Sequence, residues 1–232
     1  MNISTFHSHC LSKKERLWGT GYLLFEALFL AKLLQLFNLL LPAPLPQSEV
    51  NALFFAINFV AVLIIFRSYL RQMLRQLPEI IWNVLLVTAA AFMVYWICRI
   101  LLAQIIYGIS PDFTSSNDVT IQGLVAENFP LMFFGTVILV PVAEEILFRG
   151  LLFRGIYDHS PALAWIGSVA LFSAIHVTGY IGSASATTLF LCFVQYIPAG
   201  ICLAGAYRLS GSLLSPILIH ALVNFFGMMS LR

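Results

Sequence analysis

Ten residues, Pro141-Val142-Ala143-Glu144-Glu145-Ile146-Leu147-Phe148-Arg149-Gly150, place two adjacent carboxylates and a guanidinium inside an apolar stretch. The residues from Leu131 to Val140 carry no charge, and Leu151-Leu152-Phe153 follows, so the charged groups belong to the helix itself and not to a loop beside it. A charged side chain at mid-bilayer costs about 2.5–3.5 kcal/mol on insertion scales, so such groups face a bundle interior or a hydrated cavity and mark function. The stretch therefore requires other helices around it. Glu145 and Arg149, spaced i, i+4, share a helix face and can pair, whereas Glu144 is rotated by about 100° and keeps a free carboxylate.

Composition supplies those helices. Of 232 residues, 60% are hydrophobic and 9% charged, with a mean hydropathy of +0.93, too apolar for polar surface to cover a soluble core. The fold class is all-α, a polytopic membrane helical bundle of about seven transmembrane helices, six to eight. A formal charge of +2 points to no nucleic-acid partner. Cys98, Cys192 and Cys202 lie in apolar runs, where a thiol is a small hydrophobe. Cys10 belongs to the group His7, Ser8, His9, Cys10, which reads as a tail and not a metal site, because it is terminal and has no scaffold. The apolar run after Lys13, Lys14 and Arg16 is too long for a signal-peptide core and reads as an uncleaved first span.

The spans read as 18–41, 50–66, 79–108, 129–157, 161–178, 187–207 and 212–229. Three segments follow: a short cytoplasmic tail over 1–17, amino-terminal helices over 18–128 and a core over 129–230. Glu26 and Lys32 sit on different faces of the first span, and each needs a partner on another helix. Arg67, Arg71 and Arg75 form one basic stripe in the loop after the second span, suited to anionic headgroups. Arg99 snorkels toward the far interface. The segment 110–128 has Asp112, Asp118 and Glu127 but no lysine or arginine and reads as an outer loop, 179–186 as a turn or broken helix, and Pro198 as a kink. Lys13, Lys14, Arg16, the stripe, Arg149, Arg154 and Arg208 fall on or toward one side, which puts the amino terminus in the cytoplasm.

The last four spans hold three polar motifs: Glu144-Glu145 with Arg149, Phe172 with His176, and His220 with Asn224, the last two each at i, i+4. Glu145 lies 14 residues before the turn at His159 and His176 lies 17 after it, or about 21 and 25 Å at 1.5 Å per residue. An antiparallel hairpin thus brings carboxylate and imidazole to one depth. His220 lies about 12 Å into its span and needs a tilted helix or a recessed helix start to join them. Singly, each motif could be an ion pair, a packing histidine or interhelical glue. Together they supply a base, a second titratable ring and polar donors, the parts needed to activate water and hold an oxyanion.

The three motifs resemble the signature of the CAAX protease and bacteriocin-processing family of intramembrane proteases, EExxxR, FxxxH and HxxxN, over about 129–229. The resemblance implies a membrane endopeptidase cleaving near the cytoplasmic side of a bilayer cavity. It implies catalytic roles for Glu144 as base with His176 and for His220 and Asn224 at the oxyanion, with Glu145, Arg149 and Phe172 supporting. No cofactor is favoured, because no HExxH pair is present; were zinc bound, its ligands would be Glu144, His176 and His220. The implied partners are the bilayer and a peptide or a prenyl- or lipid-anchored protein, in peptide maturation or bacteriocin self-immunity, in a bacterial plasma membrane. A small transporter is the first rival reading, but the two halves do not mirror each other. A catalytically inactive immunity or binding protein is the second, but the motifs are complete.

Overall fold

In lipid a backbone must satisfy its own hydrogen bonds, and helices do so. The computed structural model describes residues 11–231, and among them it contains helices and no strand; the group at His7 to Cys10 lies outside the described residues. We number the helices α1 (Lys13–Leu39), α2 (Gln47–Ile65), α3 (Arg67–Ile109), α4 (Ser116–Glu127), α5 (Phe129–Tyr157), α6 (Pro161–Thr178), α7 (Ala186–Ser210) and α8 (Leu214–Ser230). Six of them are long and apolar enough to cross a membrane, and α8 is a shorter apolar helix. The bundle thus has about seven spans. Side chains such as Trp18, Trp82, Leu86 and Ile166 are largely exposed and form its lipid-facing surface.

Two local expectations are corrected. The basic stripe is not a loop: α3 runs unbroken for 43 residues through Pro78, about 64 Å at helical rise. Its first turns are amphipathic, with Tyr69 and Met73 buried and Arg67, Arg71 and Arg75 on the exposed side. Pro78 removes the partner of the Leu74 carbonyl, at a residue that is itself exposed, which is where the loss is best tolerated. The outer segment is not all loop either. Ser115 caps α4 by accepting from the Asp118 amide, and the helix follows from that cap. The α7 helix contains Pro198 and ends on Gly211 in the left-handed region at φ 73°.

Buried polar contacts fix the two ends. At the arginine end, Glu15 accepts from Ser12 within a capping box at the start of α1 and from the Tyr69 amide at the start of α3, 2.8 Å away, while the Tyr69 and Tyr207 hydroxyls share a 2.5 Å hydrogen bond. At the other end the Ser48 amide donates to Glu127, tying α2 to α4. Between them α5 is the central helix: half of its most apolar stretch is buried, against 11–33% in the other spans.

One glycine allows α5 to approach α2 closely. A Cβ on Gly135 would lie 2.6 Å from the Phe55 ring. We expect Gly135→Ala to lower the melting temperature in detergent, corresponding to about 1–3 kcal/mol of overpacking. An unchanged melt would show that Phe55 moves aside freely.

Candidate active site

Two wide π-helical stretches interrupt α5, Gly135–Leu139 and Ile146–Phe153, and the two glutamates occupy the α-helical segment between them. Such stretches loosen the backbone ladder and recur at functional sites. A neighbour repairs part of the loss, since Ser168 on α6 donates to the Phe148 carbonyl at 3.1 Å.

Glu145 and Arg149 are fully buried and pair at 3.0 Å. The guanidinium also donates to the Gly200 carbonyl on α7 at 3.3 Å and lies 4.3 Å from the centre of the Phe172 ring. Glu145 receives a second contact from His220 Nδ1 at 2.8 Å. Glu144 is different in kind. Its side chain is 22% exposed, and its Oε2 lies 3.9 Å from His220 Nε2, without a hydrogen-bond partner among the described residues.

The condition set for His220 is met by a recessed start. The turn before α8 is buried, with Ser210, Ser212 and Leu213 at 0–1% exposure. Its polar groups are satisfied internally, the Ser210 hydroxyl donating to the Ser212 carbonyl and Asn83 of α3 donating to the Leu209 and Ser210 carbonyls. The helix therefore begins inside the bundle.

His176 has Nδ1 against the Phe172 carbonyl at 2.8 Å. A carbonyl only accepts, so Nδ1 carries the proton and Nε2 of the neutral ring is an acceptor. The ring stacks on Tyr196 of α7, centroids 4.0 Å apart, and meets the Phe172 ring at a tilt of 55° and 4.8 Å, which fixes its plane. Asn224 donates one amide hydrogen to the Thr136 carbonyl at 2.8 Å and retains a second.

Glu144, His176, His220 and Asn224 all line one cavity of about 960 Å³. Glu145 and Arg149 lie behind its wall. The structure thus brings the seven residues read from the sequence into one neighbourhood and separates them into a layer facing the cavity and a layer beneath it, with Phe172 in both. It also adds groups that the motifs do not name. Tyr196 carries no signal in a chain this aromatic. Thr136 contributes through its backbone. Glu26 and Lys32 of α1 both line the cavity, as Glu144 does. Their need for a partner beyond α1 was legible; where it lay was not.

Zinc requires its ligand atoms about 2.0–2.2 Å from one point. Among the described residues no group of three or more His, Cys, Asp and Glu side chains is arranged to hold a metal ion. The residues as placed do not fit zinc, and no step below runs through it.

Residues 126–226 match the family model of type II CAAX prenyl endopeptidase Rce1-like proteins. This segment is similar to an Rce1-like domain. It spans α5 to α8, and all seven motif residues lie within it. No curated protein and no solved structure matches the chain. The six apolar helices of membrane-spanning length agree with an integral membrane protein, and the match is to a family of membrane endopeptidases. Glu26, Lys32 and Arg99, on the same cavity wall, come from helices outside it.

Proposed function

We propose that the protein is an intramembrane endopeptidase that hydrolyses a peptide bond of a membrane-associated or lipidated substrate with a water activated by Glu144 and His176. The observation that carries this reading is the contrast between the two glutamates: Glu145 is fully buried and held through Oε1 by Arg149 and His220, while Glu144 is partly exposed and lines the cavity. Glu144 takes a proton from water as the oxygen attacks the scissile carbonyl, and His176 Nε2 accepts the second hydrogen bond that orients that water. Negative charge then develops on the carbonyl oxygen. His220, with Nε2 turned from Glu145 toward the cavity, donates to it in its protonated form, and the second amide hydrogen of Asn224 donates from the same helix. Glu144 finally returns the proton to the leaving amine, which restores the carboxylate. The name of the matched family, a CAAX prenyl endopeptidase, supports a prenylated protein or peptide as one substrate class. Peptide maturation or bacteriocin self-immunity in a bacterial membrane is a second use of the same chemistry.

The test is turnover of a fluorogenic peptide by purified protein before and after exhaustive chelation. Because the donor set does not converge on a metal, turnover is expected to be unchanged. Loss of activity restored only by zinc would overturn the metal-free mechanism, and no turnover of any peptide by well-folded protein would overturn the protease reading.

A further inference from the structure

The cavity belongs to one half of the bundle. Its lining comes from the second half of α1, from α4, from the last residues of α6 and α8, and from the middle of α5; nothing in 11–25, 59–94, 149–170 or 204–218 contributes. Buried residues such as Ala143, Leu203 and Ile219 line its inner part, whereas Asp118, Gly179 and Ser230, all exposed, line the part nearest α4. His176 lies two residues from the end of α6 at Thr178, about 3 Å along the axis. The mouth is therefore at the α4 end.

The basic residues mark the other end. Lys13, Lys14 and Arg16 start α1, Arg67, Arg71 and Arg75 start α3, Arg154 closes α5 and Arg208 closes α7. The connections 40–46, 110–128 and 179–185, at the α4 end, contain no lysine or arginine. Two cations within the α4 half of the spans, Lys32 and Arg99, both line the cavity, and Arg99 donates to the Tyr95 hydroxyl at 3.2 Å. Short-loop charge of this kind sets orientation, with the basic end cytoplasmic.

We infer that the catalytic cavity opens on the extracytoplasmic side, so that its substrate is a peptide segment exposed at the outer leaflet and not the cytoplasmic carboxyl terminus of a prenylated protein. This rests on the protease reading for the word substrate, while the side on which the mouth opens is independent of catalysis. It differs from the cytoplasmic cleavage that the family resemblance implies.

The experiment places single cysteines at Asn117, on the cavity wall in α4, and at Ser68, beside the arginine stripe, and treats spheroplasts with a membrane-impermeant maleimide, each signal read against the parent protein. Asn117→Cys is expected to label in intact spheroplasts, and Ser68→Cys only after permeabilisation. Ser183→Cys, exposed in the connection after α6, provides the same reading if Asn117→Cys fails to fold. The second measurement adds a fluorogenic peptide outside sealed right-side-out vesicles, where cleavage is expected at the rate seen after detergent is added. Labelling at Ser68 alone from outside, or cleavage only after permeabilisation, would overturn the inference. Absence of cleavage in detergent as well would count against the protease reading alone and leave the labelling to decide the side.

Discussion

Glu144→Gln abolishes most turnover, by about 10² or more, and leaves the melting temperature in detergent near that of the parent protein. The substitution keeps the volume and a carbonyl oxygen but removes the charge that accepts a proton from water. Little stability is at stake, because the nearest charged partner of Glu144 is His220 Nε2 at 3.9 Å, too long for a hydrogen bond, and Glu144 Oε2 has no partner to lose. Glu144→Asp is the companion variant. It keeps the charge and withdraws it by one methylene, so partial activity in Glu144→Asp with near-complete loss in Glu144→Gln points to proton transfer and not to shape. Normal cleavage by Glu144→Gln, at full expression and unchanged melting, assigns the base elsewhere, with Glu26 the next carboxylate on the cavity wall.

The reason so much of this site was legible lies in the cost of charge in lipid. Glu144, Glu145 and Arg149 stand out against an apolar background because nothing but a site or an ion pair keeps them there, and helical spacing then separates the paired glutamate from the free one. Depth was legible too, as the contacts of Phe148 with Ser168 and Phe172 show, since an antiparallel hairpin fixes which residues lie side by side. What periodicity could not show was interruption of the helix. The π-helical stretches on both sides of Glu144 and Glu145 have no composition that distinguishes them from α-helix. Nor does spacing reveal that the turn before α8 is buried, because that depends on Asn83, 126 residues away from the Leu209 carbonyl it meets. The helix over Ser116–Glu127 was missed for the opposite reason: its acids and polar residues resemble a solvated loop, and its helical cap at Ser115 is a single residue. The cavity wall supplied by α1 was legible only as an unmet need, in the charges of Glu26 and Lys32, while Arg99 of α3, also on that wall, was read only as reaching toward the far interface.

Glu145→Gln is expected to damage stability before chemistry. Arg149 is completely buried and has one carboxylate to balance it, at 3.0 Å. Its other polar contact, the Gly200 carbonyl, is neutral, and its Nε has no partner among the described residues. Neutralising Glu145 leaves a buried guanidinium without a counter-charge in direct contact, a loss of about 3–5 kcal/mol in a dry site and less where the cavity admits water. Phe172 packed against the guanidinium offsets only part of this. The double variant Glu145→Gln with Arg149→Met separates the pair from its surroundings: removing both charges is often close to neutral where removing one is not, so melting is expected to recover most of the way. Activity should not recover with it. His220 would then face an amide in place of the carboxylate that its Nδ1 contacts at 2.8 Å, and the donor proposed for the oxyanion would lose the partner that orients its ring. The measurement is thermal melting in detergent beside peptide turnover on the parent, single and double variants. A single variant that melts with the parent but cleaves nothing makes Glu145 the base and exchanges the roles of the two glutamates.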